Sequence, residues 1–355
     1  MNRLPNLDAL RFFLASFVIL FHIPLLSKNQ GLPYFDSLEI FHKGIQAVYM
    51  FFVLSGFLII RLIYRAKINN TFSIKQFYMR RVLRILPLYY LIVFFGFLFY
   101  HLILPILNIP FEINYDLKEG LLLTIFFLPN VFSKLYSPGG ILEILWSIGI
   151  EEQFYLFIAP LLFCIKRKYI LFFLTIIVSL YFVIFHSSTF NVLREFSFVY
   201  FYLLFGGIVS ILEEERKLEF IKRKALSIII VTFAIIYFIT DWLVVEIIWL
   251  NNFLTCILFS LFILTISYNN FGVEIKSRFI KYLGNISYGI YMYHVIALNI
   301  VVFLFLSIEK FDFFGNFMTV LLINILTFAL TILISHVSYK YFELYFLKLK
   351  NKFRK

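Results

Sequence analysis

Cysteine is scarce in this chain, and so are charged residues. The two cysteines among 355 residues, Cys164 and Cys256, lie in separate apolar segments, which excludes a disulfide framework and a cysteine-based metal site. Charged residues make up 15% of the chain, and no polar stretch is long enough to bury a core. We therefore expect one domain over residues 1–355, without a bound metal or a separate soluble domain. The first apolar run also lacks a small-residue cleavage site, which argues against a cleavable signal peptide.

Apolar residues are abundant instead. They make up 62% of the chain, which includes 49 Phe and 23 Tyr and has a mean hydropathy of +0.92. Soluble domains are about half apolar, so this composition predicts an all-α, polytopic membrane protein. A helix needs about 20 apolar residues to cross a bilayer. Ten runs meet this requirement, at about residues 8–26, 45–64, 82–104, 144–165, 169–186, 196–212, 225–240, 250–268, 283–306 and 317–342.

The basic residues are unevenly distributed along the chain. The formal net charge is +12, but the charges cluster in loops between apolar runs, which argues against a nucleic-acid partner. With both termini placed in the cytoplasm, most of the 32 Lys and Arg, from Arg3 to the C-terminal tail, are cytoplasmic. Those placed outside are Lys28, Lys43, Lys118, Lys134, Arg194 and Lys310. This asymmetry is the positive-inside pattern, and it predicts a multi-pass protein of the cell membrane with cytoplasmic N- and C-termini.

One apolar run, Gly120–Val131, does not fit the set of spans. It is short, ends at Pro129 and Asn130, and would invert every later loop if it crossed the membrane. We therefore predict that it is a re-entrant or interfacial segment on the outer side.

The first span carries two polar groups, Arg11 and His22. Eleven residues return a helix to within about 20° of its starting direction and advance it by about 16 Å. Both groups therefore face the same way, one near each side of the bilayer. A charge inside a membrane is costly and normally faces a partner, so this stripe is a candidate functional site.

Three arginines, Arg80, Arg81 and Arg84, lie at the start of the helix of the third span, at its cytoplasmic end. Anchoring at the cytoplasmic face is one interpretation of this cluster. The other is a phosphate cradle, because planar guanidinium groups suit an anionic, nucleotide-like ligand arriving from the cytosol.

Two further clusters enter spans from the outer or cytoplasmic side. Trp146, Ser147 and Glu151 open the fourth span, where Glu152 points about 100° away from Glu151. One carboxylate is placed to partner Arg11 or His22, and a structural ion pair between helices is the alternative. In the ninth span, Ser287, Tyr291 and His294 share a stripe. Two interpretations of that stripe are open: His294 is a functional histidine near mid-bilayer, or its ring is hydrogen-bonded to a tyrosine hydroxyl and has a structural role.

Taken together, five motifs in this chain resemble those of the acyltransferase-3 family of integral membrane acyltransferases. The first motif is Leu7–Arg11 with His22. The other four are residues 51–59, which contain Ser55-Gly56, and residues 80–87, 146–155 and 286–294. Together the five motifs extend over nearly the whole chain. The family's ten-helix domain agrees with the ten spans identified above. Ile148 departs from the usual leucine of the family, which is a conservative change.

The resemblance implies an acyl-CoA donor in the cytoplasm, usually acetyl-CoA, and O-acetylation of a hydroxyl on a cell-surface or lipid-linked carbohydrate. His22 would act as general base or transient acyl carrier, Glu151 would orient its ring or take its proton, and Arg11 would stabilise the thioester oxyanion or bind a phosphate. The resemblance also places CoA phosphates at Arg80, Arg81 and Arg84, and assigns Trp146 and Ser147 to the same motif as Glu151. A secondary transporter, a sensor without catalysis and an acyltransferase acting on a small molecule are the alternatives.

Overall fold

We describe the fold from a computed structural model of the chain, which covers residues 4–268, 272–309 and 315–353. Arg3 and Lys310, which entered the predicted charge asymmetry, lie outside these residues, as do Arg354 and Lys355. The described residues contain helices, turns and loops but no β-strand, which confirms the predicted all-α class.

Eight helices are long and apolar enough to cross a membrane. They are α1 (Leu7–Asn29), α2 (Gly44–Ile68), α3 (Ile74–Ile106), α6 (Gly140–Cys164), α7 (Arg167–His186), α10 (Ile248–Ser267), α12 (Ser287–Glu309) and α13 (Asn316–Lys350). Between them lie α4 (Leu117–Ile125), α5 (Pro129–Tyr136), α8 (Tyr200–Glu214), α9 (Lys224–Ile239) and α11 (Arg278–Asn285).

The two remaining predicted spans are helical but differ from a simple crossing. Helix α8 follows Ser188–Glu195 after a bend of 86°, which is the geometry of a broken span or of a re-entrant loop. Helix α9 is apolar but only 16 residues long. The described residues therefore contain the ten predicted apolar helices, of which eight by themselves meet the length of a span.

Two helix boundaries differ from those predicted. Helix α3 begins at Ile74 rather than near residue 82, because the Ser73 hydroxyl accepts a hydrogen bond from the Gln76 N–H at 3.4 Å and caps the helix. The three arginines therefore lie within α3 and not at its start. The predicted span 283–306 is divided near Ile286, where α11 ends, and α12 begins at Ser287.

The chain folds into two compact units. The first comprises Met1–Arg61 and Tyr202–Val337, and the second comprises Leu62–Phe201 and Ser338–Lys355. Their boundaries fall inside α2 and α13 and near the start of α8, so each unit is built from separated stretches of sequence. A single functional domain over residues 1–355 stays a prediction.

Close backbone approaches hold the first unit together. A Cβ atom on Gly56 of α2 would lie 1.8 Å from the Leu203 carbonyl oxygen of α8, and one on Gly206 would lie 2.0 Å from the Val53 oxygen. Backbones this close leave room for no side chain, which is how small residues join membrane helices. Gly56, in the second motif, therefore has a packing role between α2 and α8.

The N-terminus of α1 is fixed in the same unit. A Cβ on Gly284 of α11 would meet the Asp8 carbonyl oxygen at 1.9 Å. The Asn6 side chain donates to the carbonyls of Ile266 and Val273 and accepts from the Ile275 N–H at 2.9 Å. These contacts hold α1, and with it Arg11 and His22, against α11 and the loop before it.

In the second unit, the predicted re-entrant segment is a helix–turn–helix hairpin made of α4 and α5. Its helices have 9 and 8 residues, so each is about 12–14 Å long and far shorter than a bilayer core. At the turn, Phe127 has a positive φ of 59°, and its carbonyl oxygen accepts from the Gln153 amide of α6 at 2.5 Å. Gln153 also donates to the Asn130 side-chain oxygen at 2.9 Å. Side chains of α6 thus satisfy irregular backbone, as membrane interiors require.

We expect Gly56→Ala to destabilise the protein strongly, because its Cβ would overlap backbone that cannot move without separating α2 from α8. Overpacking of this kind costs about 1–3 kcal/mol or more. Thermal unfolding in detergent would show a lower Tm for Gly56→Ala. Gly315→Ala is the matched control, since no atom of the residues that the structure describes lies within 4 Å of its Cβ position. Equal stability of the two variants would contradict the packing assigned to Gly56.

Candidate functional site

Two intramembrane histidines of the first unit meet side by side. His294 Nε2 on α12 lies 3.3 Å from His22 Nδ1 on α1, and their ring centroids are 4.9 Å apart. His294 is fully buried, whereas His22 is half-buried. The sequence singled out both histidines in separate motifs, and the structure brings them together.

The hydrogen bonds of the pair define its protonation. A backbone carbonyl only accepts, so His294 Nδ1, at 2.5 Å from the Tyr291 carbonyl oxygen, carries its proton. The same reasoning gives His22 Nδ1 a proton, because it lies 2.8 Å from the Val18 carbonyl oxygen. In neutral rings the Nε2 atoms are then unprotonated, so the lone pair of His294 faces the His22 N–H and His22 presents a basic Nε2.

Tyr291 contributes to this arrangement through its backbone and its ring. Its carbonyl oxygen accepts from His294, and its ring centroid lies 5.7 Å from that of His294. The ring also contacts Phe51 of α2 in an edge-to-face arrangement. Tyr291 thus belongs to the surroundings of His294, as the shared stripe predicted.

Arg11 is paired within its own helix. Its Nη1 donates to Asp8 Oδ1 at 2.8 Å, and the two side chains are 20% and 12% exposed. Because Arg11 and His22 lie on one continuous helix, they are separated by about 16 Å along its axis. The two side chains therefore act at different depths. Asp8 is a partner that sequence reasoning overlooked, although an acid three residues before an arginine is the expected helical pairing.

In the second unit, a different set of charged side chains lies on α3 and α6. The Arg81 guanidinium lies over the Tyr155 ring at 5.5 Å and over the Phe77 ring at 6.0 Å. It interacts electrostatically with Glu151, Glu152 and Arg84. Arg80 is half-buried and Arg84 is exposed. The three predicted arginines thus occupy unlike environments, and Arg81 is the one that interacts with Glu151 and Glu152.

The two adjacent carboxylates of α6 have unlike surroundings, as their angular separation predicted. Glu151 Oε2 accepts from the Tyr155 hydroxyl at 2.6 Å. Glu152 is only 7% exposed, and none of the described residues donates a hydrogen bond to its Oε1. Sequence reasoning selected Glu151, whereas Glu152 is the more deeply buried acid beside Arg81. Only the packing of α3 against α6 distinguishes them.

Trp146 and Ser147 lie one turn before this pair on α6. Ser147 is buried, and its hydroxyl donates to the Ile144 carbonyl oxygen at 3.4 Å. Two residues later, a Cβ on Gly149 would meet the ring of Pro129 at 2.6 Å. The tryptophan-serine motif therefore lies where α6 packs on the re-entrant hairpin. Among the described residues, no group of three or more His, Cys, Asp or Glu is arranged to hold a metal ion.

Comparison with known proteins gives a consistent result over most of the chain. The acyltransferase-3 family model, described as "Acyltransferase domain", matches residues 4–336. A relative named "Putative peptidoglycan O-acetyltransferase YrhL" from Bacillus subtilis is 30% identical over 43% of this chain and 23% of its own length. The peptidoglycan O-acetyltransferase OatA of Listeria monocytogenes is 30% identical over the same shares.

A third relative, from Staphylococcus aureus, is named "Putative O-acetyltransferase" and is 26% identical over 98% of this chain and 58% of its own length. The chain thus spans about a quarter of the two peptidoglycan O-acetyltransferases that it matches and little more than half of the third relative. No solved structure gives a significant match.

We expect Arg81→Met to lower the Tm, because it removes the cation beside two carboxylates, one of them buried. Removal of the cation leaves the buried carboxylate with less compensation for its charge, which is destabilising. Adding Glu152→Gln should restore part of the lost stability, since it removes the uncompensated charge. Lys75→Met, at an exposed position of the same helix, is the control. Additive losses in the double variant would mean that Arg81 does not compensate Glu152.

Proposed function

This chain belongs to the acyltransferase-3 family, and from that premise we propose that it is an integral-membrane O-acetyltransferase. In this proposal, the chain moves an acyl group, in the usual case acetyl, from cytoplasmic acyl-CoA to a hydroxyl of a cell-surface or lipid-linked carbohydrate. The single observation that carries it is His22, a histidine inside a membrane-spanning helix whose Nδ1 is bonded to the Val18 carbonyl oxygen, so that in the neutral ring Nε2 is the basic nitrogen. The names of the relatives support an O-acetyl product and a carbohydrate acceptor.

The proposed orientation follows from the distribution of basic residues. Cytoplasmic termini place Arg80, Arg81 and Arg84, together with the basic C-terminal segment, on the side where acyl-CoA is available. His22 then lies toward the outer half of the membrane, closer to a carbohydrate outside the cell. Acyl-CoA carries its phosphates at one end of a long arm and its thioester at the other. Its two ends therefore suit arginines at the cytoplasmic side and a histidine deeper in the membrane.

We assign phosphate binding first to Arg84, which is the exposed arginine of the three. Guanidinium groups bind phosphate through paired, charge-assisted hydrogen bonds. Arg81 already faces Glu151 and Glu152, so its positive charge is compensated within the protein. Arg84 is exposed and able to meet an incoming anion. Arg81, predicted to hold the donor directly, is instead proposed to hold the carboxylates of α6 beside the donor site.

His22 is proposed to act as the general base. Its Nε2 removes the proton of the acceptor hydroxyl, whose oxygen attacks the thioester carbonyl. The carbon–sulfur bond breaks, and the proton passes from His22 to the leaving sulfur, giving the ester and free CoA. Proton transfers of this kind contribute about 10²–10⁴-fold to enzymatic rates. A role as transient acyl carrier would use the same Nε2 lone pair.

Arg11 is too far from His22 to contact the same reacting oxygen, given their separation of about 16 Å along α1. We therefore propose that Arg11, held by Asp8, contacts an anionic part of the donor and not the oxyanion at the thioester. Glu151, bonded to Tyr155, remains a proposed second acid–base group.

We expect His22→Ala to abolish O-acetyl transfer without changing protein level or membrane insertion, because the variant lacks the basic nitrogen. Mass spectrometry of surface glycans and lipid-linked sugars would compare cells with wild type, the variant and no protein. His336→Ala is a matched control, since His336 also lies in a span, where its Nδ1 is 2.7 Å from the Tyr282 hydroxyl oxygen. Transfer retained in His22→Ala would remove His22 from the chemistry.

The same experiment addresses the alternative functions. An ester mass increment found only with wild type identifies the acceptor. If no glycan changes, labelled acetyl-CoA turnover in purified membranes decides between a small-molecule acceptor, which consumes the donor, and a transporter, which does not.

We expect Arg84→Ala to raise the KM for acetyl-CoA by about 10- to 100-fold, the effect of one lost hydrogen bond to a charged group. The kcat should stay close to wild type, because a phosphate contact is the same in the ground and transition states. S-acetylpantetheine, which lacks the CoA phosphates, should be used equally by both proteins. A KM difference that persists with this donor would place Arg84 elsewhere in the site. Lys75→Ala is the control for simple loss of positive charge at that end of α3.

A further inference from the structure

We propose that His294 is a positioning residue for His22. Its Nε2 lone pair accepts a hydrogen bond from His22 Nδ1–H and thereby keeps His22 Nε2 unprotonated and correctly aimed. The inference deepens the proposed function and rests on it, because it concerns the base of that reaction. It assigns to a neutral histidine on α12 the orienting role that the motif analysis gave to Glu151.

The orientation of His294 is itself fixed. Its ring is fully buried, and its Nδ1–H is committed to the Tyr291 carbonyl oxygen, one turn earlier on the same helix. A ring flip would replace this N–H by a C–H and leave the carbonyl without its histidine donor, which is unfavourable in a buried site. His294 therefore presents a lone pair, and no proton, toward His22.

His22 is held by two acceptors of different origin. The Val18 carbonyl oxygen is local, at 2.8 Å on the same helix. His294 Nε2 is contributed by α12, 272 residues later in the chain, at 3.3 Å. Both acceptors select the Nδ1–H form of His22, because the other tautomer would place two lone pairs face to face. The second acceptor also links the direction of the ring to the packing of α1 against α12.

The charge of His22 changes during the proposed reaction, and the contribution of His294 changes with it. When His22 takes the proton, its Nδ1–H becomes part of a cation, and hydrogen bonds from a charged donor are about twice as strong as neutral ones. The bond therefore stabilises the protonated intermediate more than the resting state. Because His294 is neutral, it does this without a second permanent charge inside the membrane, where charges are costly.

Loss of this hydrogen bond should therefore change one kinetic parameter and leave the other unchanged. An interaction that strengthens only as the proton moves should affect kcat and leave the KM for acetyl-CoA unchanged. Loss of the acceptor should lower kcat by about 10- to 100-fold, the range expected for one hydrogen bond to a charged group.

The first test measures the tautomer directly. Wild-type protein with ¹⁵N-labelled histidine in lipid nanodiscs contains six histidines, and the signals of His22 and His294 are assigned by their loss in His22→Ala and His294→Ala. We expect both rings to be neutral, with the proton on Nδ1. A proton on Nε2 of His22, or a cationic His294, would overturn the proposal.

The second test uses variants that separate the acceptor from the bulk of the ring. His294→Ala should show the loss of kcat, and His294→Gln should recover part of it, because a glutamine oxygen can accept near the position of Nε2. His294→Asn places its amide near Nδ1 and should not recover it. His336→Ala, which also removes a hydrogen bond between a histidine side chain and another helix, should leave kcat unchanged.

The outcomes distinguish this proposal from the proposed function. If wild type transfers no acetyl group at all, the proposed function fails, while the tautomer measurement still reports on the pair. If wild type is active but His294→Ala matches His336→Ala, or raises KM with kcat unchanged, the positioning role fails. Should His294→Ala not fold, the wild-type ¹⁵N spectrum and the comparison of His294→Gln with His294→Asn still decide the question.

Discussion

The structure depends on one constraint, which is that a polar group inside a membrane has to find its partner within the protein. The polar groups of the candidate site reflect it. Arg11 is paired with Asp8, Arg81 lies beside two carboxylates and an aromatic ring, and His22 and His294 are bonded to each other and to carbonyls of their own helices. Since such pairing is costly to lose, the groups that could carry chemistry are also the groups that hold helices in place.

The same constraint explains the irregular segments. The hairpin of α4 and α5 interrupts the pattern of spans with a turn whose carbonyl groups would be unsatisfied in lipid. Gln153 of α6 reaches the turn at Phe127 and bonds Asn130 as well, and Asn130 in turn donates to the Phe196 carbonyl oxygen at 2.8 Å. The glutamine that follows the two glutamates of α6 thus connects the acidic part of the site to the hairpin. Helix α6 therefore carries both acidic residues of the candidate site and the side chain that holds the hairpin.

Much of the architecture could be predicted because membrane insertion is read from local sequence. A run of about 20 apolar residues specifies a span regardless of its neighbours, and each of the ten predicted spans is an apolar helix in the structure. Boundaries were less predictable. The cap at Ser73 extends α3 toward its N-terminus, and the break near Ile286 separates α11 from α12. Each boundary depends on a single local hydrogen bond or turn, which the periodicity of apolar residues does not predict.

The sequence by itself determined that this is an all-helical membrane protein, which of its residues are polar within spans, and that Arg11 and His22 lie about 16 Å apart on one helix. Only the tertiary structure decided which of those groups meet. His22 and His294 are 272 residues apart, and the choice between Glu151 and Glu152 as the deeply buried acid depends on how α6 is rotated against α3. Helical periodicity assigns residues to a face, but the packing of helices determines what each face contacts, and the partner of a buried histidine determines which nitrogen remains a base.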